Sequence, residues 1–433
     1  MTDRLAGLYP LHIQTLKQRH DRALAETGYD HVILSAGAVH TAFLDDNPLP
    51  FKPNPHFKAW VPILDNPNCY VVYTPTKKPV LIYFQPVDYW YKPAGSPSGY
   101  WVDHFDIEVI GKPEDAKQHF PSGGRIAYIG EDQPTPDGLL NRLHFDRAWK
   151  TEYEIECMRR ANRIGARAHR AAERAFRSGA SEYEIHLQYL QAANSTEEEL
   201  PYSNIIGLNE NAAVLHYLQH DRRRLDEPRR FSFLIDAGAS TNGYAADITR
   251  THSQRNDEFS QLIQAFDAGQ QQLCASVKPK INYPDLHMSA HRMVARTLEQ
   301  FRFTRDIDAD GIVEKGISSA FFPHGVGHYI GLQVHDVAGF MADRTGTSIP
   351  KPEGHPYLRL TRTVEPTHVF TVEPGMYFIE PLLTDLKKSS NAKYINWPKV
   401  DEFRKFGGIR IEDDVVVTES GHENLTRDAF AET

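Results

Sequence analysis

The sequence predicts two domains: an α/β unit over residues 1–150 and a strand-rich unit with interspersed helices over residues 151–433. Three observations predict this. Strand-like runs alternate with helical stretches as far as about residue 150. Two helix-start signatures follow in succession, Thr151 with Glu154 and Ser181 with Glu184, each spaced as a capping box. From residue 201 onward, short apolar runs bounded by Gly, Pro and Asn take over. The chain of 433 residues is too long for one ordinary domain, and its 40% hydrophobic content suffices for a sizeable core.

Residues 1–30 read as a helix, with Leu5, Leu8, Ile13 and Leu16 near helical spacing. HVILSAG is a strand ending in a Gly turn, and residues 45–60 are Pro-rich and aromatic. Residues 69–84 read as a hairpin across 74–78, and HFDIEVI and RIAYIGED as two more strands. Thr151 opens a helix reaching about Phe176, with Ile155, Met158, Ala161, Ile164 and Ala168 on one face. Gly179 breaks it, and Ser181 opens a second helix to about Ala193. Further helices are expected near 256–276 and 284–302, a surface loop or lid over 341–357, and an irregular excursion over 381–402.

The chemistry is expected around FLIDAGASTNGYAADITR, residues 233–250. Two strand runs joined by a Gly/Asn/Ser turn read as a β-hairpin carrying Asp236 and Asp247. Asp236 alone could be a turn-starting Asp. Asp247, inside a strand after Tyr244, Ala245 and Ala246, is costly to bury without a partner. Two carboxylates on adjacent strands repel unless a proton or cation lies between them. A cation demands further ligands, and His328, Glu373 and Glu412 lie on similar runs. Four carboxylates and one imidazole, with no thiolate, suit Mn²⁺, Mg²⁺, Co²⁺ or Zn²⁺. Four negative charges favour two divalent ions with a hydroxide, about 3.5–4 Å apart.

His324, His328 and His335 cluster among Gly325, Gly327 and Gly331. A histidine not bound to metal can hydrogen-bond a developing oxyanion or shuttle a proton. Arg410 lies two residues before Glu412, so on one strand both would face the same way and the guanidinium would keep that carboxylate ionised; a solvated strand Arg is the alternative. His216 is either a half-buried strand residue or part of the site. Arg359 or Arg362 could bind a substrate carboxylate bidentately.

The net charge of −9 is mild, and the basic run 222–224 is followed by Asp226 and Glu227, so nucleic-acid binding is not expected. Cys69, Cys157 and Cys274 are odd in number and far apart, which fits a reducing compartment rather than a disulfide framework. No run approaches the ~18 apolar residues of a membrane span. The first residues carry no apolar signal region, so a cytoplasmic location is expected.

The ordered motifs LIDAGAS, YAADITR, FFPHGVGHYIGLQVHD, FTVEPGMYF and GGIRIED resemble the pita-bread metallopeptidases: aminopeptidase P, prolidase and methionine aminopeptidase. The resemblance covers about 155–433 and implies an α+β pita-bread catalytic domain. Residues 1–150 resemble the α/β creatinase-like domain of prolidases and aminopeptidases P. LNENAAVLHY and the long 45–60 and 341–399 segments look most like bacterial Xaa-Pro dipeptidases, including those called organophosphorus acid anhydrolases.

The resemblance makes Asp236 a ligand of one metal and Asp247 a bridge. It puts His328 and Glu373 on the other metal, and makes Glu412 the second bridge. Glu373 would also be general base toward a bridging hydroxide. His335 would hydrogen-bond the scissile carbonyl and His324 line the substrate pocket. His216 and Arg359 would hold the carboxylate of a C-terminal proline, with Tyr202, Leu215, Tyr283 and Leu358 lining side-chain pockets. The implied activity is hydrolysis of Xaa-Pro dipeptides with two divalent ions, Mn²⁺ before Co²⁺ or Zn²⁺, and with promiscuous attack on phosphotriesters and phosphofluoridates. Aminopeptidase P activity is the alternative that the His216 and Arg359 clamp weighs against. A homodimer is implied, with no membrane or nucleic-acid partner.

Overall fold

The computed structural model describes residues 4–131 and 133–433. The first residues of the helix expected over 1–30, and Asp132 at the end of the RIAYIGED strand, lie outside them. The chain forms two compact units. One comprises Met1–Cys157 with Thr241–Tyr244 and Met341–Ser348; the other comprises Met158–Ser240, Ala245–Phe340 and Ile349–Thr433.

The first unit is built on a mixed five-stranded sheet in the order Asp106–Ile110, Val80–Phe84, Tyr70–Tyr73, His31–Ser35, Ile126–Ile129. The central three strands run antiparallel to one another, and the outer two add in parallel. Ile33, Val72, Ile82, Ile110 and Tyr128 form a core on this sheet. Helix Arg4–Thr27 buries Leu5, Tyr9, Ile13, Leu16, Ala23 and Leu24, the stripe that period 3.6 places on one face. The 45–60 segment contains a short helix, Pro55–Trp60, capped by the Asn54 side chain. Helix Asp137–Asp146 was not read from the sequence. Part of the expected 341–357 loop is tied within this unit, where Arg344 pairs with Asp146 and Asn141 donates to Thr345 O.

Both capping boxes form. Thr151 N donates to Glu154 Oε2 at 2.7 Å, ahead of helix Glu152–Arg177, and Ser181 caps helix Glu182–Ala193 reciprocally with Glu184. In the second unit, strand Ser232–Asp236 is central between Ile205–Leu208 and Thr249–Ser253, both antiparallel to it. Phe176, Ile185, Tyr189, Ile206, Phe233 and Ile235 make the core between this sheet and the two helices. A second sheet orders Val369–Val372, Asp413–Val417 and His422–Asn424, and a two-stranded ladder pairs Gly375–Tyr377 with Gly408–Arg410. Helices Glu258–Ala275 and Tyr283–Gln300 occupy the expected places.

Residues 381–402 are not irregular. They hold helices Glu380–Lys388 and Trp397–Phe403 with a 3₁₀ turn, Ser390–Tyr394, between them. Pro381 and Pro398 each occupy the first turn of a helix, where a missing N–H costs nothing.

Candidate active site

Asp236 is the last residue of its strand, and Thr249 faces it in register on the neighbouring strand. Asp247 does not sit inside that second strand, as the hairpin reading has it. It lies between the short strand Tyr244–Ala245 and strand Thr249–Ser253. The reason is a close crossing at Gly238, where a Cβ would stand 2.2 Å from Ala246 O. Asp247 N is thereby left out of the ladder and donates to Asp414 Oδ2 at 3.1 Å.

Segment 326–328 runs beside strand Val369–Val372. Thr371 N donates to His328 O at 3.0 Å, and Glu373 N to Val326 O at 2.8 Å. These bonds set the His328 imidazole against Glu373: Nε2 lies 3.5 Å from Glu373 Oε1 and 3.5 Å from Asp247 Oδ2. His328 Nδ1 lies 3.0 Å from Tyr329 O, an acceptor only, so Nδ1 carries the proton there and Nε2 faces the carboxylates. Glu412 follows strand Gly408–Arg410, and its N–H donates to Thr249 O at 3.1 Å. Its carboxylate accepts from Thr249 Oγ1 at 2.6 Å. Ligand-type atoms of Asp247, His328 and Glu412 lie within 4.8 Å of one another. The fold therefore brings Asp236, Asp247, His328, Glu373 and Glu412 together.

Arg410 spans the cluster differently from its sequence reading. Its direct carboxylate partner is Asp236 Oδ2, at 2.7 Å, not Glu412. It reaches Glu412 only through Thr249, whose hydroxyl accepts from Arg410 Nε at 3.1 Å. The strand ends at Arg410, so the two-residue alternation does not carry to Glu412. Arg410 also donates to Tyr377 OH at 2.9 Å. Tyr377 OH lies 2.8 Å from His324 Nε2, and His324 Nδ1 lies 2.8 Å from Gly325 O. The carbonyl accepts only, so Nδ1 holds the His324 proton and Tyr377 donates to Nε2. Both ring nitrogens of His324 are thus engaged by protein.

Tyr202 departs from its pocket-lining reading. Its hydroxyl lies 2.8 Å from Asp236 Oδ1 and 2.5 Å from Asp247 Oδ1, between the two carboxylates. Tyr283 is buried, with its hydroxyl donating to Thr371 O at 2.9 Å. Leu358 is buried and Leu215 half-buried. His335 packs edge-on against His328, with ring centroids 4.4 Å apart. His216 and Arg359 are exposed, and both lie close enough to lower the pKa of His335. Arg362 is buried. The sequence reading missed Tyr377, Thr249 and Thr371; each sits inside a quoted motif, two to four residues from a carboxylate.

The electrostatics follow from four carboxylates sharing a buried space. Burial, then Asp247 and the other acids, push Glu412 well up. Burial pushes Glu373 up to about 7, with His328 opposing and Asp247 adding to the shift. Burial also raises Asp236, against the pull of Arg410. On Asp247 burial is outweighed by its His328 partner, and the carboxyl sits below its usual value. His328 answers in kind: burial would lower it, but Asp247 and Glu373 raise it to about 9. One Arg and one His cannot balance four carboxylates. Buried oxygen ligands in excess, with a histidine whose tautomer is fixed from behind, fit divalent cations.

A family model for metallopeptidase family M24 matches residues 156–419, and one for the Xaa-Pro dipeptidase N-terminal domain matches residues 7–145. The chain belongs to the M24 metallopeptidases. The M24 relatives include the Xaa-Pro dipeptidase of Shewanella oneidensis, 49% identical over 439 residues, covering 98% of this chain and 99% of that one. The Xaa-Pro dipeptidase of Stenotrophomonas maltophilia strain K279a is 49% identical over 435 residues, covering 98% of each. Among solved structures, aminopeptidase P from Escherichia coli with the inhibitor Pro-Leu matches with a TM-score of 0.71 at 22% identity, covering 96% of this chain and 95% of that one. The C-terminal domain accordingly has the pita-bread fold and follows an α/β N-terminal domain in the sequence, and the family implies a divalent metal site.

Proposed function

We propose that this chain hydrolyses dipeptides ending in proline, using two divalent ions, Mn²⁺ foremost, held by Asp236, Asp247, His328, Glu373 and Glu412. The observation that carries this is the four-carboxylate cluster, with Asp247 and Glu412 buried, Asp236 and Glu373 partly so, and His328 Nε2 at 3.5 Å from two of its members. The names borne by relatives at 49% identity supply the substrate class. When bound, the ions supply a water acidic enough to attack near neutral pH and a Lewis acid for the scissile carbonyl.

The remaining work falls to the chain. Glu373, whose carboxylate lies 3.5 Å from His328 Nε2 at the centre, is placed to take a proton from the attacking water and return it. The return matters because a proline nitrogen leaves as a secondary amine and needs a proton. His335 is held down at about 4, first by partial burial, so it is neutral at pH 7 and can donate an N–H to the carbonyl oxygen. Arg410 orients Asp236, and Thr249 orients Glu412. Exposed His216 and Arg359 would take the substrate carboxylate, which restricts the site to dipeptides. The same centre is proposed to attack phosphotriesters and phosphofluoridates, whose tetrahedral phosphorus demands the same nucleophile. The domains divide at 150/151 in this reading, and the protein is a cytoplasmic homodimer.

Hydrolysis of an Xaa-Pro dipeptide beside the matching Xaa-Pro-Xaa tripeptide, after stripping and Mn²⁺ reloading, tests the proposal. Metal-dependent cleavage of the dipeptide is expected, with the tripeptide cut far more slowly. Equal cleavage of the tripeptide would move the activity to that of an aminopeptidase P and remove the role given to His216 and Arg359.

Metal affinity should also fall with acidity. Glu373 carries a proton below about 7, and His328 below about 9. Each must lose it to become a ligand, so raising the pH favours binding. Below pH 7 the affinity should drop about tenfold per unit for each proton displaced. Titration calorimetry in buffers of different ionisation heat counts those protons. An affinity flat from pH 6 to 8 contradicts the assignment of these ligands.

A further inference from the structure

A second cluster of ligand-type side chains shares no residue with the carboxylate centre and lies beyond Phe322 and His324 from it. His287 and His291 are four residues apart on helix Tyr283–Gln300 and so share a face. His355, from the irregular segment before Leu358 and Arg359, closes a triangle with them. Ring centroids are 4.6 Å apart for His287 and His291, 4.6 Å for His287 and His355, and 4.7 Å for His291 and His355. One nitrogen from each lies within 4.8 Å of the others.

We propose that His287, His291 and His355 form a mononuclear site for a borderline divalent transition ion such as Zn²⁺ or Cu²⁺, which staples the 349–359 segment to helix Tyr283–Gln300. The hydrogen bonding leaves lone pairs for it. His291 Nδ1 is held by Ser318 Oγ at 2.9 Å, so Nε2 points elsewhere, and that atom is buried with no partner among the described residues. His287 Nε2 lies 2.9 Å from His355 Nδ1; with the ring protons on His287 Nδ1 and His355 Nε2, both facing nitrogens present lone pairs to one ion. An unpaired buried nitrogen is costly, and a cation removes that cost. Ligand nitrogens around a tetrahedral Zn²⁺ stand about 3.3 Å apart, given Zn–N of about 2.0–2.1 Å. His355, half-buried on a loop, can supply the small closure.

The protons are already out of the way. Burial, then the neighbouring histidines, hold His287 down at about 2 and His291 at about 3, and burial lowers His355. All three are neutral imidazoles at pH 7. The donor set also separates the two centres by chemistry: three nitrogens suit Zn²⁺, Cu²⁺ or Ni²⁺, whereas carboxylates suit Mn²⁺. Because the stapled segment leads into Leu358 and Arg359, occupancy stiffens the approach to the proposed carboxylate clamp.

The test keeps the protein in excess Mn²⁺ and titrates it with Cu²⁺ or Zn²⁺. One further equivalent per chain is expected above the Mn²⁺ bound, with nitrogen superhyperfine splitting in the Cu²⁺ spectrum and an upward Tm shift with Zn²⁺. His291→Ala and His355→Asn should each lose that equivalent and the Tm shift while keeping Mn²⁺-dependent activity. His355→Asn changes a half-buried loop residue and so reads out even if His291→Ala fails to fold. No extra equivalent, uptake only by displacement of Mn²⁺, or an extra equivalent that survives His355→Asn would overturn the site. Loss of Mn²⁺ binding itself would instead count against the carboxylate centre, and the Cu²⁺ spectrum would still report on the histidines.

Discussion

Replacing Asp247 with asparagine should abolish dipeptide hydrolysis and empty the carboxylate centre of metal. Asp247 is 5% exposed and meets three partners at once: His328 Nε2 at 3.5 Å, Tyr202 OH at 2.5 Å, and the other carboxylates through the shared field. Removing a group that merely orients a ligand costs about 10–100-fold in metal affinity or activity. A carboxylate proposed to bridge both ions should cost more, so a loss beyond about 100-fold is expected in kcat/KM. The amide is close in size to the carboxylate, so the fold should hold. His328 would also lose the partner that contributes most to its raised pKa, which should fall from about 9 toward the usual range. Metal analysis, activity and an NMR titration of His328 read these effects separately. Retention of both metal ions and of activity within tenfold would remove Asp247 from the centre.

The parts of this site that were legible in the sequence are those that one strand determines by itself. Asp236, Glu373 and Glu412 each follow or end an apolar run, and His328 sits among glycines, so each was visible as a polar residue where burial would be costly. Cross-strand relations were not legible. The pairing of Arg410 with Asp236 spans 174 positions, and it depends on strand Gly408–Arg410 ending before Glu412. Tyr202 reaches Asp236 and Asp247 from a loop ahead of strand Ile205–Leu208, and no local pattern forecasts that. Asp247 fell off its expected strand because Gly238 permits a crossing that a side chain would block. The helices over 381–402 were hidden for another reason: proline marks a loop and a helix N-terminus alike, and only the packing of Leu383, Val400 and Phe403 decides between them. The three-histidine cluster was invisible because His355 joins the other two across 64 residues of chain or more, through a segment without periodicity.

Replacing Gly327 with alanine should be the most disruptive single methyl addition near the site. Gly327 has φ +154°, outside the conformations that residues with a Cβ readily adopt, and its Cβ would stand 2.0 Å from Thr371 O and 2.4 Å from Tyr283 OH. Neither neighbour can yield cheaply. Thr371 O belongs to strand Val369–Val372, and Tyr283 OH is buried and already donates to that same oxygen. Backbone strain costs about 1–3 kcal/mol, and forced overpacking about 1–3 kcal/mol more. Relief requires segment 326–328 to move off the strand, which breaks the bonds from Thr371 N to His328 O and from Glu373 N to Val326 O. Those bonds set the His328–Glu373 spacing, so stability and metal binding should fail together. Gly316→Ala is the control: Gly316 has φ +68° but nothing within 4 Å of a Cβ, so it should cost only the left-handed backbone strain of about 1–2 kcal/mol. Denaturant unfolding of the two variants decides the matter. If Gly327→Ala is no less stable than Gly316→Ala and binds metal as the parent does, then the close approach of 326–328 to the strand is not what holds His328 against Glu373.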